Sequence, residues 1–315
     1  MVGAETPPGG ERRFVDWLQR FFRTRDARVK LGIGDDAALL VPRGSATVVC
    51  CDPVVEGVHF RAGTPLGAVG HKVVMRNASD LAAMGARADA LLVSVVAPRG
   101  LASTALKELF RGIRRAARQL DASVVGGDLA ASDGPMVVTV TAVGSLHGRA
   151  LRRDRARVGD AVFVSGPLGG SILGRHLRIR PRLDVGERLA RMRGVGAVLD
   201  ISDGLVLDLM TLLAASSPLL GADLHADRIP IHRDARRLAG QSGGTAMSHA
   251  LGDGEDHELL FTLRPTAARR VGALEALGCR RIGSVTPSPG VRLVDDQGLV
   301  VPIESLGYEH VLPPP

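Results

Sequence analysis

Aromatic residues are scarce in this chain. Phe, Tyr and Trp fill 3% of its 315 positions, with one Trp and one Tyr among them. Stacking platforms for single-stranded nucleic acid are correspondingly few. The arginine-rich runs at 111–119, 151–157 and 175–182 are therefore read as solvated faces, despite a formal net charge of +7. Lysine occurs only as Lys30, Lys72 and Lys107, so a lysine-centred phosphate clamp has few candidates. The cysteines are Cys50, Cys51 and Cys279, without C-x-x-C spacing, which excludes a disulfide framework and a thiolate zinc site. No apolar run reaches the length of a membrane span, and the first residues contain no apolar signal core. A cytoplasmic protein without membrane or nucleic-acid partners is expected. G-x-x-x-x-G-K-[ST], the kinase H-R-D and D-F-G motifs and the G-x-S-x-G elbow are all missing.

Against these absences stands an alternation of strand and helix patterns. Residues 11–23 have helical spacing with one apolar face. A buried strand is expected over 45–52, ending at Asp52, followed by a helix over 67–86 and a strand over 88–98. A helix over 103–120, with Ser103 as a possible N-cap, precedes strands at 122–128 and 136–146. The pattern restarts with a strand at 161, helices over 170–178 and 184–193, and "AVLDIS" leading into a helix from Gly204. A helix over 266–277 and closing strands follow. This is an α/β (α+β) pattern in two domains, 1–148 and 149–315.

The carboxylates are the chemical signal. Asp35 and Asp36 follow "GIG", Asp52 follows "TVVCC", Asp80 lies in "NASDLAAMGA", and Asp128 follows "VVGG". Asp200 and Asp203 bracket "LDISDG", and Asp253, Glu255 and Asp256 lie in "LGDGEDHE". Each has a bland reading as a cap, a turn or an ion pair; Asp80 with Arg76 is one. Carboxylates recurring at the ends of apolar segments are costly unless they are paired or metal-bound. Oxygen donors without matching His or Cys point to Mg²⁺, which shares its shell with water and phosphate oxygens. The expected site is a Mg²⁺–nucleotide site with more than one ion.

In order, "GIGDDAAL", "CDPVVEGVHF", "HKVVMRNASDLAAMGA", "VVGGD", "GRALRRDRARVGD", "LDISDGLVLDL", "LGDGEDHELLFT" and "LGYEH" resemble thiamine-monophosphate kinase, of the aminoimidazole ribonucleotide synthetase-like superfamily. The resemblance spans residues 12 to 311. It implies ATP-dependent phosphorylation of thiamine monophosphate to thiamine diphosphate. It also implies an N-terminal domain that binds ATP and metal and pairs strands across a homodimer, with a C-terminal α/β domain closing over the nucleotide. The implied Mg²⁺ ligands are Asp36, Asp52, Asp80, Asp128, Asp200 and Asp203, with the Cys51 carbonyl beside them and Asp35 as a neighbour. Gly127, Asp128, Arg153 and Ser202 match ATP contacts; His59, Glu255 and Tyr308 match contacts to the thiamine phosphate. The acceptor oxygen is anionic at neutral pH, so neither a general base nor a covalent nucleophile is expected, and transfer is direct and in line.

The chain departs from the family pattern in places. Cys50 and Cys51 replace hydroxyl residues, Leu129 and Ala130 replace threonines, and Asp253 and His257 replace a glycine and a tyrosine. Two alternatives therefore stand beside the kinase: another ATP-using synthetase of the superfamily, and a nucleotide or thiamine-phosphate binder that has lost turnover.

Overall fold

Burial along the strands and helices sorts the chain into layers. The computed structural model describes residues 10–33, 37–42, 44–267, 271–303 and 306–308. Asp35 and Asp36 lie outside the described residues. The chain divides into two compact units, Met1–Ala78 with Arg87–Leu146, and Ser79–Ala86 with His147–Pro315. No helix among the described residues is long and apolar enough to cross a membrane.

The first unit opens with α1 (Gly10–Phe21) and the short strands β1 (Val29–Leu31) and β2 (Leu39–Leu40). β3 (Thr47–Val55), α2 (Leu66–Met84), β4 (Ala86–Pro98), α3 (Ser103–Gln119), β5 (Ser123–Ser132) and β6 (Val137–Leu146) follow. Its four-stranded sheet has the order β3-β6-β4-β5. β3 and β6 run antiparallel, and β4 and β5 run parallel, with α3 as the long crossover that a parallel pair requires. An aromatic cluster joins α1 to α3. Phe110 lies 5.8 Å from Phe14 and 6.0 Å from Phe22 between ring centroids, and Trp17 stacks on Phe21 at 4.4 Å.

In the second unit come β7 (Ala161–Val164), α4 (Leu183–Arg191), β8 (Val195–Asp200), α5 (Leu205–Ser216) and β9 (Gly221–His225). α6 (Arg233–Ser242), α7 (Ala246–Gly252), β10 (Leu259–Leu263), α8 (Gly272–Glu275), β11 (Arg280–Thr286), β12 (Gly290–Val294) and β13 (Val300–Pro302) complete it. The seven strands run β13-β12-β9-β11-β7-β10-β8. Successive side chains take opposite faces. Val162, Val164 and Leu260 join α5 in one core, while Phe163, Leu259 and Phe261 join α4 in another. Both faces are covered, which is why β7, β8 and β10 are buried throughout.

Several boundaries differ from the sequence expectation. The first strand does not stop at Asp52 but runs on through Pro53 to Val55. β3 is an edge strand, where proline's missing N–H is tolerated. It is also buried on one face only, and Val49 is 62% exposed. Asp128 likewise sits inside β5, which continues to Ser132. The helix expected over 170–178 is two 3₁₀ turns, Ser171–Leu173 and Arg175–Leu177, separated by Gly174 at φ 118°. Over 266–277 the described helix is only Gly272–Glu275. Ser103 is the first helical residue of α3 and not its cap; Ala102 takes that place without a side-chain bond.

Replacing Phe110 with Ala removes the ring on which α1 rests. The expected cost is about 3 kcal/mol, read by urea unfolding, with a red shift in Trp17 emission as the cluster loosens.

Candidate active site

The residues of the second unit gather around the end of β8. The strand delivers Asp200, 6% exposed, to the buried edge of the sheet. Its Oδ2 accepts the Ser79 hydroxyl at 2.7 Å, and His257 Nδ1 lies 3.5 Å away. That bond sets the segment carrying Asp80 beside the end of β8. The chain then turns through Ser202, Asp203 and Gly204 into α5. The amides of all three donate to one oxygen of Asp208, at 3.0, 2.9 and 3.1 Å. Burial pushes the Asp208 carboxyl up to about 7, aided by Asp203 and Asp200 and opposed by those same amides.

Two further segments attach to this turn through its carbonyls. Glu255 N–H donates to Ser202 O at 2.6 Å, His257 N–H to Ile201 O at 2.8 Å and Tyr308 N–H to Asp203 O at 2.9 Å. Gly254 makes the first approach possible, since a Cβ there would sit 2.6 Å from Ser202 O. Asp80, Asp200, Ser202, Asp203, Glu255 and Tyr308 are thus gathered on the acidic turn and the three segments tied to it. Arg153 stands on the neighbouring segment. Its carbonyl accepts the Ser216 hydroxyl at 3.1 Å, and its side chain is exposed.

In the first unit, Asp52 accepts Arg76 Nε at 2.8 Å, and its own amide donates to Asn77 Oδ1 at 3.1 Å. Asn77 also donates to Val73 O at 2.8 Å, and its carbonyl oxygen takes the Cys50 thiol at 3.4 Å. Arg76 and Asn77 lay within the quoted "MRNASD" run, but nothing local marks them as partners of a strand 25 residues earlier. Cys51 points to the opposite, exposed face, where its sulfur accepts the Thr141 hydroxyl at 3.2 Å. His59 is held at both ends: Nδ1 accepts Val55 N–H at 3.1 Å, and its carbonyl takes Lys72 Nζ at 2.6 Å. The ring is therefore the Nε2–H tautomer, assigned from these bonds.

Gly127 is required where it stands. Its φ is 150°, and a Cβ would fall 1.8 Å from Val93 O. With Asp128 it borders a cavity of about 670 Å³ whose lining includes Ile33, Leu92, Thr139 and Thr141. Asp52 and Asp128 are not brought together. They sit on the two outer strands of the sheet, three strand spacings or roughly 14 Å apart, too far to share one ion within this sheet.

A family model described as AIR synthase related protein, N-terminal domain, matches residues 34–146. Thiamine-monophosphate kinase of Rhodopirellula baltica is 38% identical over 292 residues, 89% of this chain and 91% of the relative. The chain belongs to the thiamine-monophosphate kinase family. The crystal structure of the Stenotrophomonas maltophilia K279a thiamine-monophosphate kinase superposes with a TM-score of 0.76 at 34% identity, covering 93% of this chain and 97% of that one. AaThiL complexed with AMPPCP and TMP gives 0.76 at 27% identity, covering 99% and 100%.

Members of the thiamine-monophosphate kinase family with such a carboxylate set face the question of whether it suits Mg²⁺. Among the described residues no group of three or more His, Cys, Asp or Glu converges as a closed metal cage. Mg²⁺ takes one or two carboxylates per ion and fills its shell with water and phosphate oxygens. The donors are oxygens, as Mg²⁺ requires. The Cys51 thiol is the exception, a poor ligand already engaged by Thr141.

Asn77→Ala strips the amide of Asp52 of its side-chain acceptor, while Val73 O keeps the helical N–H of residue 77. A loss of about 2 kcal/mol is expected, measured by denaturant unfolding, with the secondary structure unchanged by circular dichroism. A second expectation concerns Asp256. Burial raises its carboxyl to about 7, against the pull of Arg175. The folded state holds this proton more tightly than the unfolded one, so the group's contribution is complete below about 4 and is lost as pH rises through about 7. The stability of the native protein relative to Asp256→Asn should fall across that window. A flat difference between the two would contradict the raised value.

Proposed function

We propose that this chain transfers the γ-phosphoryl group of ATP to thiamine monophosphate, forming thiamine diphosphate and ADP. The observation that carries the reading is the acidic turn Asp200–Asp203, bonded directly to the segments bearing Glu255 and Tyr308. It stands in a chain that belongs to this kinase family along nearly its whole length. The attacking atom is a phosphate oxygen, already anionic, so no side chain has to remove a proton, and transfer is direct, without a phospho-enzyme. The difficulty is the approach of two polyanions. Asp36, Asp52, Asp80, Asp128, Asp200 and Asp203 are the residues that would hold Mg²⁺, with the Cys51 carbonyl as a further oxygen. When bound, Mg²⁺ supplies positive charge that offsets the repulsion. Gly127, Asp128, Arg153 and Ser202 are assigned to the nucleotide, Arg153 by a bidentate contact with phosphate. His59, Glu255 and Tyr308 are assigned to thiamine monophosphate. Here His59 offers its Nε2–H to the phosphate, and Tyr308 offers a half-exposed ring to the cationic thiazolium.

Residues 1–148 carry nucleotide binding and dimerisation in this reading, and residues 149–315 form the second domain. The homodimer is supported by the bare face of the four-stranded sheet, where Val49, Cys51 and Pro53 are exposed and an edge strand lies open. The protein is assigned to the cytoplasm.

Incubation with ATP, Mg²⁺ and thiamine monophosphate should yield ADP and thiamine diphosphate in equal amounts, resolved by chromatography. Asp128→Asn should lower kcat by about 100-fold or more while the protein stays folded; near-normal turnover would remove Asp128 from the site. Tight nucleotide binding with no product would instead favour a binder without turnover. Val49→Arg should convert a dimer to a monomer in sedimentation, and an unchanged oligomeric state would place the dimer contact elsewhere.

A further inference from the structure

Glu255 and His257 are non-glycine residues in the left-handed region, at φ 60° and 52°. Such backbone is uncommon and persists only where surrounding contacts enforce it. Those contacts come from the glycine-rich loop after β7. Gly169 N–H donates to Asp256 Oδ2 at 2.8 Å, and Gly170 N–H to Asp253 Oδ2 at 2.7 Å. The Ser171 hydroxyl donates to Gly254 O at 2.7 Å. One cation closes the arrangement. Arg175 Nη2 reaches both Asp256 Oδ1 at 2.8 Å and Gly169 O at 2.9 Å. The Asp256 side chain is 0% exposed and that of Arg175 22%. Asp253 also accepts His249 Nδ1–H at 3.0 Å, with Ser242 Oγ 2.7 Å from the far nitrogen of that ring. Residues 253–256 are therefore clasped on one side by 169–175, while the Glu255 amide is taken by Ser202 O on the other.

We propose that Arg175 is a positioning residue for acceptor recognition: through Asp256 it holds Glu255 in the left-handed conformation that presents it to the thiamine phosphate. The proposal rests on the assignment of Glu255 to the acceptor. Arg175 touches no substrate in this scheme. Its effect belongs to the affinity for the cationic acceptor and not to the nucleotide or the chemical step. Both bonds leave one nitrogen, Nη2, whose two hydrogens serve a carboxylate and a carbonyl at once.

The test is steady-state kinetics with each substrate varied in turn, on Arg175→Met, Asp253→Gly, Glu255→Gln and the double variant Arg175→Met/Glu255→Gln. Arg175→Met should raise KM for thiamine monophosphate roughly tenfold and leave KM for ATP and kcat within about twofold. Asp253→Gly removes one bond of the clasp and introduces the residue usual in the family, so it keeps the question answerable if Arg175→Met does not fold. It should raise the same KM roughly threefold. In the Glu255→Gln background, Arg175→Met should add nothing further, because both act through one side chain. Equal changes in both KM values, a fall in kcat alone, or additive effects in the double variant would overturn the proposal while leaving Glu255 in place. An unchanged acceptor KM in Glu255→Gln would overturn the assignment of Glu255 and this proposal with it.

Discussion

The acidic turn of the second unit keeps its shape because the amides of Ser202, Asp203 and Gly204 all end on one oxygen of Asp208. The start of a helix usually attracts anions through its unpaired N–H groups. Here the chain's own carboxylate takes that role, so these three amides already have an acceptor. With its amides turned inward, the turn offers its carbonyls outward. Ile201, Ser202 and Asp203 each accept an amide from another segment. Two carboxylates, Asp200 and Asp203, are thereby tied through backbone bonds to the segments that carry Glu255 and Tyr308.

Most of the layer pattern was legible in the sequence, because it depends on periodicity alone. The strands and long helices of the first unit lie within a few residues of their expected positions. The exceptions have local causes. "TVVCCDPVV" was cut at Asp52 because a charge followed by proline reads as an end, and only the edge position of β3 makes both harmless. The strand expected over 122–128 ends at Asp128, whereas β5 runs on to Ser132 with Gly127 inside it, pressed against Val93 O. The segment 170–178 has helical composition, and Gly174 in the left-handed region divides it.

The site was legible in its carboxylates and illegible in their supports. Asn77, Asp208 and Asp256 lie inside quoted motifs and Arg175 opens an arginine run expected to be a solvated face, yet their roles come from partners distant in the chain. Asn77 serves a strand 25 residues away, and Arg175 serves Asp256 across 81 residues. Asp208 is the partial exception. An acid four residues into a helix that follows "SDG" is a local capping signal that could have been read. The spacing of Asp52 and Asp128 is likewise invisible in the sequence, since strand order and not sequence order sets their separation.

The paired cysteines show how strand geometry alters the weight of a substitution. Neighbouring residues on a strand face opposite sides, so Cys50 and Cys51 do not replace one hydroxyl pair with one thiol pair in a single environment. Cys50 faces α2, where its thiol donates to the Asn77 carbonyl as a hydroxyl would. Its replacement keeps a hydrogen bond that supports Asp52. Cys51 faces outward, on the side of the strand away from the Asp52 side chain, and accepts from Thr141. The thiol on the Asp52 side thus preserves the support beneath that carboxylate. A site whose remaining donors are carboxylates, carbonyls and water is a site that Mg²⁺ still fits.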